Sequence, residues 1–324
     1  MSHPLLTLCV ISFDGYECPR WVRSLLEKGL GGVVLFQRNI LNIPQVQSLT
    51  ASIRDAGKSF PPPFIAIDEE GGKVQRLKKI FPVDESAREI GKKGVKGCFE
   101  QGQRIGKFMR LLGLNTNFAP VLDINTNENN PIIGDRAFSS DREVVARCGI
   151  AFAKGLETEG VLPCGKHFPG HGDANADSHL ELPVIMQDKE TIMCREIYPF
   201  AESCKSGFRL FMTAHCLYPA LDEKMPATFS KHILQEILRK NLGFEGCVIS
   251  DDLGMKAVCD RYSIEEMVVL GLEAGLDLFL HCGTDAEGEE LVLALEKILG
   301  NEKALRHRVE TSIERVVRLR KSLF

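Results

Sequence analysis

The chain has 324 residues, of which 44% are hydrophobic and 26% are charged, and its formal net charge at pH 7 is -4. This length and composition fit a globular protein with a large core, built as one big domain or two ordinary ones. The slight acidic excess and the absence of a polybasic run argue against nucleic acid or an anionic membrane as the main partner, so we expect a small substrate.

Apolar runs of strand length alternate with helical patterns along the chain, and the runs are continuously apolar, as in a covered parallel sheet. We predict eight strands, at residues 5–13, 32–36, 64–68, 116–123, 162–167, 208–215, 247–251 and 276–281. Glycines after residues 44–56, 141–159 and 230–242 mark helix ends, and Ser-Ile-Glu-Glu at 263–266 is a capping box. Eight such units predict an α/β fold, a (β/α)8 TIM-type barrel spanning residues 1–324 as a single domain, with a doubly wound open sheet as the alternative. Residues 302–323 are predicted to form a final helix packed outside the barrel.

The first apolar run, 5–13, is too short to span a bilayer and has neither a basic leader nor a small-residue cleavage site. Eleven cysteines are scattered without the paired Cys-x-x-Cys spacing of a zinc or redox site. We therefore expect a cytoplasmic protein in which most cysteines are buried thiols.

In a barrel of this type, polar chemistry collects at the carboxyl ends of the strands. Polar residues do follow the predicted strands: Asp14, Asp68, Asp123, Lys166, His167, His215, Asp251, Asp252 and His281. Each one alone is readily explained as a strand-end cap or a buried ion-pair partner. Together they are predicted to surround a single mouth.

The densest polar motif follows the fifth strand, where residues 166–173 read Lys-His-Phe-Pro-Gly-His-Gly-Asp and residues 177–179 read Asp-Ser-His. Asp177 and His179 are two positions apart, so in an extended segment the carboxylate can reach the imidazole and fix its tautomer. A free imidazole has a pKa of about 6.5, which suits general acid/base work near neutrality. An isolated Asp-x-His is more often a hydrogen-bonded loop histidine, but the surrounding Lys, His, Pro and Gly favour a reaction site.

These motifs resemble those of bacterial β-N-acetylglucosaminidases of glycoside hydrolase family 3, the single-domain kind that recycles peptidoglycan fragments. The matching runs, in family order, are 67–76, 118–123, 133–138, 166–179 and 248–253. Lys73 and Ala174 depart from the family, which usually has Arg and often Thr at these positions.

The resemblance implies a retaining exo-hydrolase that removes non-reducing terminal β-N-acetylglucosamine through a covalent glycosyl-aspartate, with Asp251 as the nucleophile. It implies that His179, paired with Asp177, is the acid/base, and a neutral imidazole there avoids like-charge repulsion with Asp251. The sugar would be bound by Asp68, Arg76, Arg136, Lys166 and His167.

We expect supporting roles for the neighbouring residues, with a substrate contact as the alternative for His171. His171 is expected to hold the loop, Asp252 to bond loop backbone, Glu70 to sit in the turn that presents Asp68, and residues 127–131 to cover part of the pocket. Glycines and small residues predict that the loop 170–182 moves during the reaction.

Other functions compete with this interpretation. Metal-dependent barrel hydrolases also gather histidines and an aspartate at strand ends, but His167 and His171 flank a Pro-Gly break that disfavours helical ligation, and we predict no metal or cofactor. A β-glucosidase or phosphorylase of the same family and a non-catalytic sugar-binding barrel are the remaining alternatives. We expect a monomer that acts on a small carbohydrate and binds neither nucleic acid nor membrane.

Overall fold

The computed structural model describes residues 4–174, 177–178, 181–283, 285–301 and 305–324. Within these residues the strands are β1 (Cys9–Ile11), β2 (Gly32–Leu35), β3 (Phe64–Ile67), β4 (Glu69–Gly71), β5 (Val74–Gln75), β6 (Thr116–Asn117), β7 (Leu162–Pro163), β8 (Gly165–Phe168), β9 (Leu210–Thr213), β10 (Cys247–Ile249) and β11 (Phe279–His281). Each of the eight predicted runs contains a strand, and most strands are shorter than the apolar run that predicts them.

Parallel pairing orders the strands into a barrel. One sheet runs β11-β1-β2-β3-β6-β7 and a second runs β10-β9-β8. The two sheets meet at two places. β8 continues the strand begun by β7, and a parallel bridge joins Ile249, the last residue of β10, to Leu278, the residue before β11. The predicted (β/α)8 fold is therefore confirmed. The antiparallel hairpin β4-β5 follows β3 and lies outside this order.

The helices are α1 (Arg20–Leu26), α2 (Ile43–Ala56), α3 (Ala87–Lys92), α4 (Gly94–Leu112), α5 (Arg142–Thr158), α6 (Lys189–Thr191), α7 (Tyr198–Lys205), α8 (Lys256–Cys259), α9 (Ile264–Ala274), α10 (Asp285–Asn301) and α11 (Arg306–Arg320). Two predictions need correction. The start of the first predicted strand is a 3-10 helix, Pro4–Leu8, and most of the predicted helix 230–242 is a π-helix, His232–Asn241. Apolar periodicity does not distinguish helix types, because all of them bury one face.

Local sequence explains where several helices begin and end. The Asn42 side chain accepts a hydrogen bond from the Gln45 amide at the start of α2, and Ser263 and Glu266 form the predicted capping box of α9. Gly275, with a φ of 118°, ends α9 in the left-handed conformation that favours glycine.

The final helix predicted at residues 302–323 is α11, and it packs against the 3-10 helix Pro4–Leu8 at the beginning of the chain. The guanidinium of Arg320 in α11 is buried and donates to the Thr7 hydroxyl at 2.9 Å and to the carbonyls of Pro61 and Pro62. Among the helices described, none is both long enough and apolar enough to cross a membrane.

Candidate active site

A single cavity at the carboxyl ends of the barrel strands contains all five predicted sugar-binding residues and the predicted nucleophile. Its polar lining includes Asp68, Arg76, Arg136, Lys166, His167 and Asp251, and its apolar lining includes Phe36, Phe118, Met212 and Leu280. The carboxyl ends of parallel strands face one mouth, so residues far apart in the chain meet there.

Asp251 follows β10 and faces the cavity. Its Oδ1 accepts a hydrogen bond from the Asp252 amide at 2.8 Å. Burial disfavours the charged carboxylate, but His167, His215 and this amide outweigh burial and hold the pKa of Asp251 below its ordinary value. Asp251 is therefore ionised at neutral pH.

Beside Asp251, a buried network of charges organises the cavity wall. Lys166 Nζ lies 2.7 Å from Asp68 Oδ1 and 2.6 Å from Glu70 Oε1. Glu70 in turn accepts a two-point contact from Arg136, at 2.9 Å from Nε and 3.0 Å from Nη2. Burial opposes the charge on Lys166, but Asp68 and Glu70 outweigh it and raise the pKa of Lys166. The network holds two cations and two carboxylates ready for hydrogen bonding.

Glu70 has a larger role in the cavity wall than its position in the turn after Asp68 predicts. The expectation that it merely shapes the turn after Asp68 is incomplete, because Glu70 is only 4% exposed and joins Arg136 to Lys166. The sequence does indicate this role, because Glu70 lies two positions after Asp68 and residues two apart in an extended segment share a face.

Arg76 lies at the edge of this network. Its Nη2 is 3.9 Å from Asp68 Oδ2, and its side chain is one-third exposed. The guanidinium groups of Arg38 and Arg76 lie 4.7 and 5.4 Å from the centre of the Phe36 ring. The Arg76 guanidinium is therefore available at the cavity mouth to contact a ligand.

His167 is held by an aspartate that the sequence analysis placed at a strand end but did not include in the site. Asp123, which is fully buried, has its Oδ2 2.7 Å from His167 Nδ1, while its Oδ1 accepts from the backbone amides of His167 and His171. The carboxylate favours the proton on Nδ1, which leaves Nε2 as the ring nitrogen without this partner. Asp123 thus fixes the tautomer of His167.

The first part of the predicted acid/base loop is anchored by its neighbours. Asn130 donates to the carbonyls of His171 and Gly172, and Asn127 donates to the carbonyl of Ala174. Asn127 and Asn130 therefore support the loop, and the expectation that residues 127–131 cover part of the pocket stays a prediction. Packing explains the glycine at position 172, because a Cβ on Gly172 would overlap the carbonyl of Ile124.

Ser178, next to Asp177, is buried and lines the cavity. Its hydroxyl is 3.3 Å from His171 Nε2, and its carbonyl accepts from the Ala257 amide at 3.3 Å. This contact agrees with a loop-holding role for His171, whose pKa is lowered to about 4 by burial and by nearby His167. His179 lies outside the described residues, so its pairing with Asp177 and the movement of the loop stay predictions.

Asp252 bonds loop backbone, as expected. Its Oδ1 accepts from the amides of Gly254 at 2.9 Å and Cys282 at 2.8 Å. Its carbonyl lies 3.1 Å from His215 Nε2, whose other ring nitrogen is 2.7 Å from the Thr228 hydroxyl. Asp252 and His215 therefore shape the loop that presents Asp251.

None of the eleven cysteines forms a disulfide bond, and six of them are buried. Across the parts of the chain that the structure describes, no three His, Cys, Asp or Glu side chains are grouped so that they could hold a metal ion. His167 is instead bonded to Asp123, and His171 to Ser178.

The chain is similar to known proteins over most of its length. Residues 17–319 match the model of the glycosyl hydrolase family 3 N terminal domain. A β-hexosaminidase from Neisseria meningitidis serogroup C is 39% identical over 277 residues, which cover 83% of this chain and 76% of that protein.

Solved structures agree with this match. A glycoside hydrolase family 3 β-N-acetylglucosaminidase from Paenibacillus sp. str. FPU-7 superposes with a TM-score of 0.91 at 35% identity, over 98% of this chain and 62% of that one. A β-N-acetylhexosaminidase from Beutenbergia cavernae superposes with a TM-score of 0.89 at 25% identity, over 98% and 97% of the two chains. With its barrel and the matched residues 17–319, the chain belongs to glycosyl hydrolase family 3.

Proposed function

We propose that this protein is a retaining exo-β-N-acetylglucosaminidase, acting as a single domain. The observation that carries the proposal is the placement of ionised Asp251 in one cavity with Asp68, Arg136, Lys166 and His167. The similar proteins named above, a β-hexosaminidase and two β-N-acetylhexosaminidase-type enzymes, support the same substrate class.

In the first step, a carboxylate oxygen of Asp251 attacks the anomeric carbon while the bond from that carbon to the leaving oxygen breaks. His179, protonated at the start of this step, gives a proton to the departing oxygen and becomes a neutral imidazole. In the second step, His179 takes a proton from water, the water oxygen attacks the anomeric carbon, and Asp251 leaves as a carboxylate. The lowered pKa of Asp251 keeps its nucleophilic form present at neutral pH.

A histidine acid/base suits the electrostatics of this cavity. Asp68, Glu70 and Asp251 already place negative charge around it, and another carboxylate near the ionised nucleophile would be repelled. An imidazole adds no negative charge in either of its protonation states, and its Asp177 partner would stabilise the protonated ring that serves as the acid.

The charged network would bind the hydroxyls and the N-acetyl group of the terminal sugar. Lys166 and Arg136 offer donors, Asp68 offers acceptors, and their buried contacts fix the direction of each group. A bound sugar that left one of these buried groups without a hydrogen-bond partner would lose about 1–3 kcal/mol of binding free energy. The cavity therefore favours a sugar whose hydroxyls pair with all of these groups. Phe118 and Met212 supply apolar surface to the same cavity.

The natural substrate is proposed from the family resemblance: peptidoglycan fragments that carry N-acetylglucosamine on an anhydro-muropeptide, cleaved in the cytoplasm by a monomer. The free thiols fit a reducing compartment.

Hydrolysis of paired chromogenic β-N-acetylglucosaminide and β-glucoside tests the activity. We expect strong preference for the N-acetylglucosaminide, and a preference for the glucoside would contradict the proposal.

Asp251→Ala should retain less than about a hundredth of wild-type turnover with an unchanged circular dichroism spectrum, since covalent catalysis contributes several kcal/mol. The matched control is Asp260→Ala, an exposed aspartate outside the cavity lining. Product analysis with and without phosphate separates hydrolysis from phosphorolysis.

A further inference from the structure

A second cavity lies at the opposite end of the barrel from Asp251. It is bounded by the segments that lead into β9 and β10 and by the last turns of α11. Three arginines line it, Arg209, Arg315 and Arg318, together with one carboxylate, Glu245. Arg315 and Arg318 are three positions apart on α11, so their side chains leave the same face of that helix.

The nearest buried carboxylate, Asp277, only partly compensates these arginines, because it contacts Arg315 alone among them and is shared with two other arginines. Asp277 is fully buried, and its Oδ1 accepts from Arg308 at 3.0 Å, the Ser312 hydroxyl at 2.9 Å and Arg315 at 3.3 Å. Its Oδ2 accepts from Arg239 at 2.6 Å and the Val248 amide at 3.0 Å. One carboxylate is thus shared by three guanidinium groups.

The surrounding charges leave a positive surplus. Arg209 lies 3.9 Å from its nearest carboxylate, Glu157, and donates to the Ser322 hydroxyl at 2.8 Å. Arg308 Nη1 is buried without a hydrogen-bond partner among the described residues. The cavity lining itself holds three arginines, 209, 315 and 318, and one carboxylate, Glu245, which leaves two positive charges in excess among the lining residues.

The electrostatics of Arg239 agree with this surplus. Burial lowers the pKa of Arg239, Asp277 acts to raise it, and the neighbouring charges of Arg315 and Arg308 lower it again. A bound anion would relieve this repulsion. Guanidinium groups present planar pairs of donors that match tetrahedral oxyanions, and a concave site selects a small anion over a flat macromolecular surface.

We infer that the cavity between α11 and the starts of β9 and β10 binds a phosphate group, held by Arg209, Arg315 and Arg318. This site is independent of the proposed catalytic function, because none of its lining residues lines the cavity that contains Asp251. The phosphate could be free or part of a phosphate monoester, since both present the same oxyanion to the arginines.

Isothermal titration with inorganic phosphate at constant ionic strength tests the inference. Wild type should bind phosphate, Arg318→Ala should bind at least about tenfold more weakly, and Arg318→Glu should lose binding, since a charge-assisted contact is removed or reversed. Arg318 is exposed, so these substitutions should not disturb folding. Arg306→Ala, which removes the same charge from an exposed position at the start of α11, is the matched control and should bind like wild type.

Hydrolytic turnover without phosphate should be unchanged in all three variants. If wild type fails to bind phosphate, or if the Arg318 variants bind it as wild type does, the site is not where we place it. Phosphate bound in the catalytic cavity would give the second of these results.

Titration with phenyl phosphate distinguishes a phosphate monoester from free phosphate as the ligand. Tighter binding than inorganic phosphate identifies a monoester ligand, and equal or weaker binding identifies the free ion, with the same loss on Arg318→Glu expected in either case.

Discussion

Replacing Glu70 by glutamine tests the charge network that organises the catalytic cavity. Glu70 is 4% exposed and receives three contacts, from Arg136 Nε at 2.9 Å, Arg136 Nη2 at 3.0 Å and Lys166 Nζ at 2.6 Å. Glutamine has nearly the same shape, but it removes the negative charge and turns one acceptor into a donor that faces a donor.

The expected cost is large because both cations stay behind. Breaking a buried ion pair by removing one partner typically costs 3–5 kcal/mol, so we expect Glu70→Gln to lower the free energy of unfolding by roughly that amount. KM should also rise, because Lys166 and Arg136 lose the group that orients them. Glu85→Gln is the matched control: Glu85 pairs with Lys93 on the surface, where both side chains are about half exposed and such a pair is worth about 0–1 kcal/mol.

The effect should depend on pH in a definite direction. Burial opposes the charge on Glu70, but Arg136 and Lys166 outweigh it and lower the pKa of Glu70 in the folded protein. A depressed folded pKa stabilises the protein above the unfolded value of about 4.3 and loses that contribution as the pH falls through the lower folded value.

Urea unfolding at pH 7 and at several pH values below about 4.3, with steady-state kinetics at pH 7, measures both effects. The gap in stability between wild type and Glu70→Gln should narrow in acid. A loss below about 1 kcal/mol, equal to that of Glu85→Gln, or a gap that does not change with pH, would refute the reasoning.

Three further predictions concern other parts of the molecule. His179→Ala should slow glycosides with poor leaving groups far more than activated aryl glycosides, with Asp177→Asn intermediate, and equal leaving-group dependence in both variants and wild type would remove the proton-transfer role. Asp123→Asn should lower kcat/KM roughly tenfold to a hundredfold, the equivalent of about 1.5–3 kcal/mol, because an amide no longer fixes the tautomer of His167, and unchanged kinetics would contradict this. Arg320→Met should lower the free energy of unfolding by about 1–3 kcal/mol in urea titrations, because buried carbonyls lose their donor, and a more stable variant would contradict that account.

The sequence by itself was enough to predict the eight strands, the barrel and the end of the barrel at which the candidate site lies. Continuous apolar runs reflect strands buried on both faces, a local property that each segment carries alone. Parallel strands all end at one mouth, so the polar residues that follow them are candidates for the cavity lining. Asp68, Lys166, His167, Asp251 and Asp252 line the cavity, whereas the other four strand-end residues, Asp14, Asp123, His215 and His281, do not.

Only the tertiary structure decided which of these residues contact each other. Glu70 and Arg136 are 66 positions apart, and Asp123 and His167 are 44 apart, so no local pattern connects them. The same holds at the other end of the barrel, where Asp277 meets Arg239 and Arg308 from two different helices. A sequence pattern supplies residue types and faces, whereas an ion pair depends on a distance, and that distance is set by how the strands and helices pack.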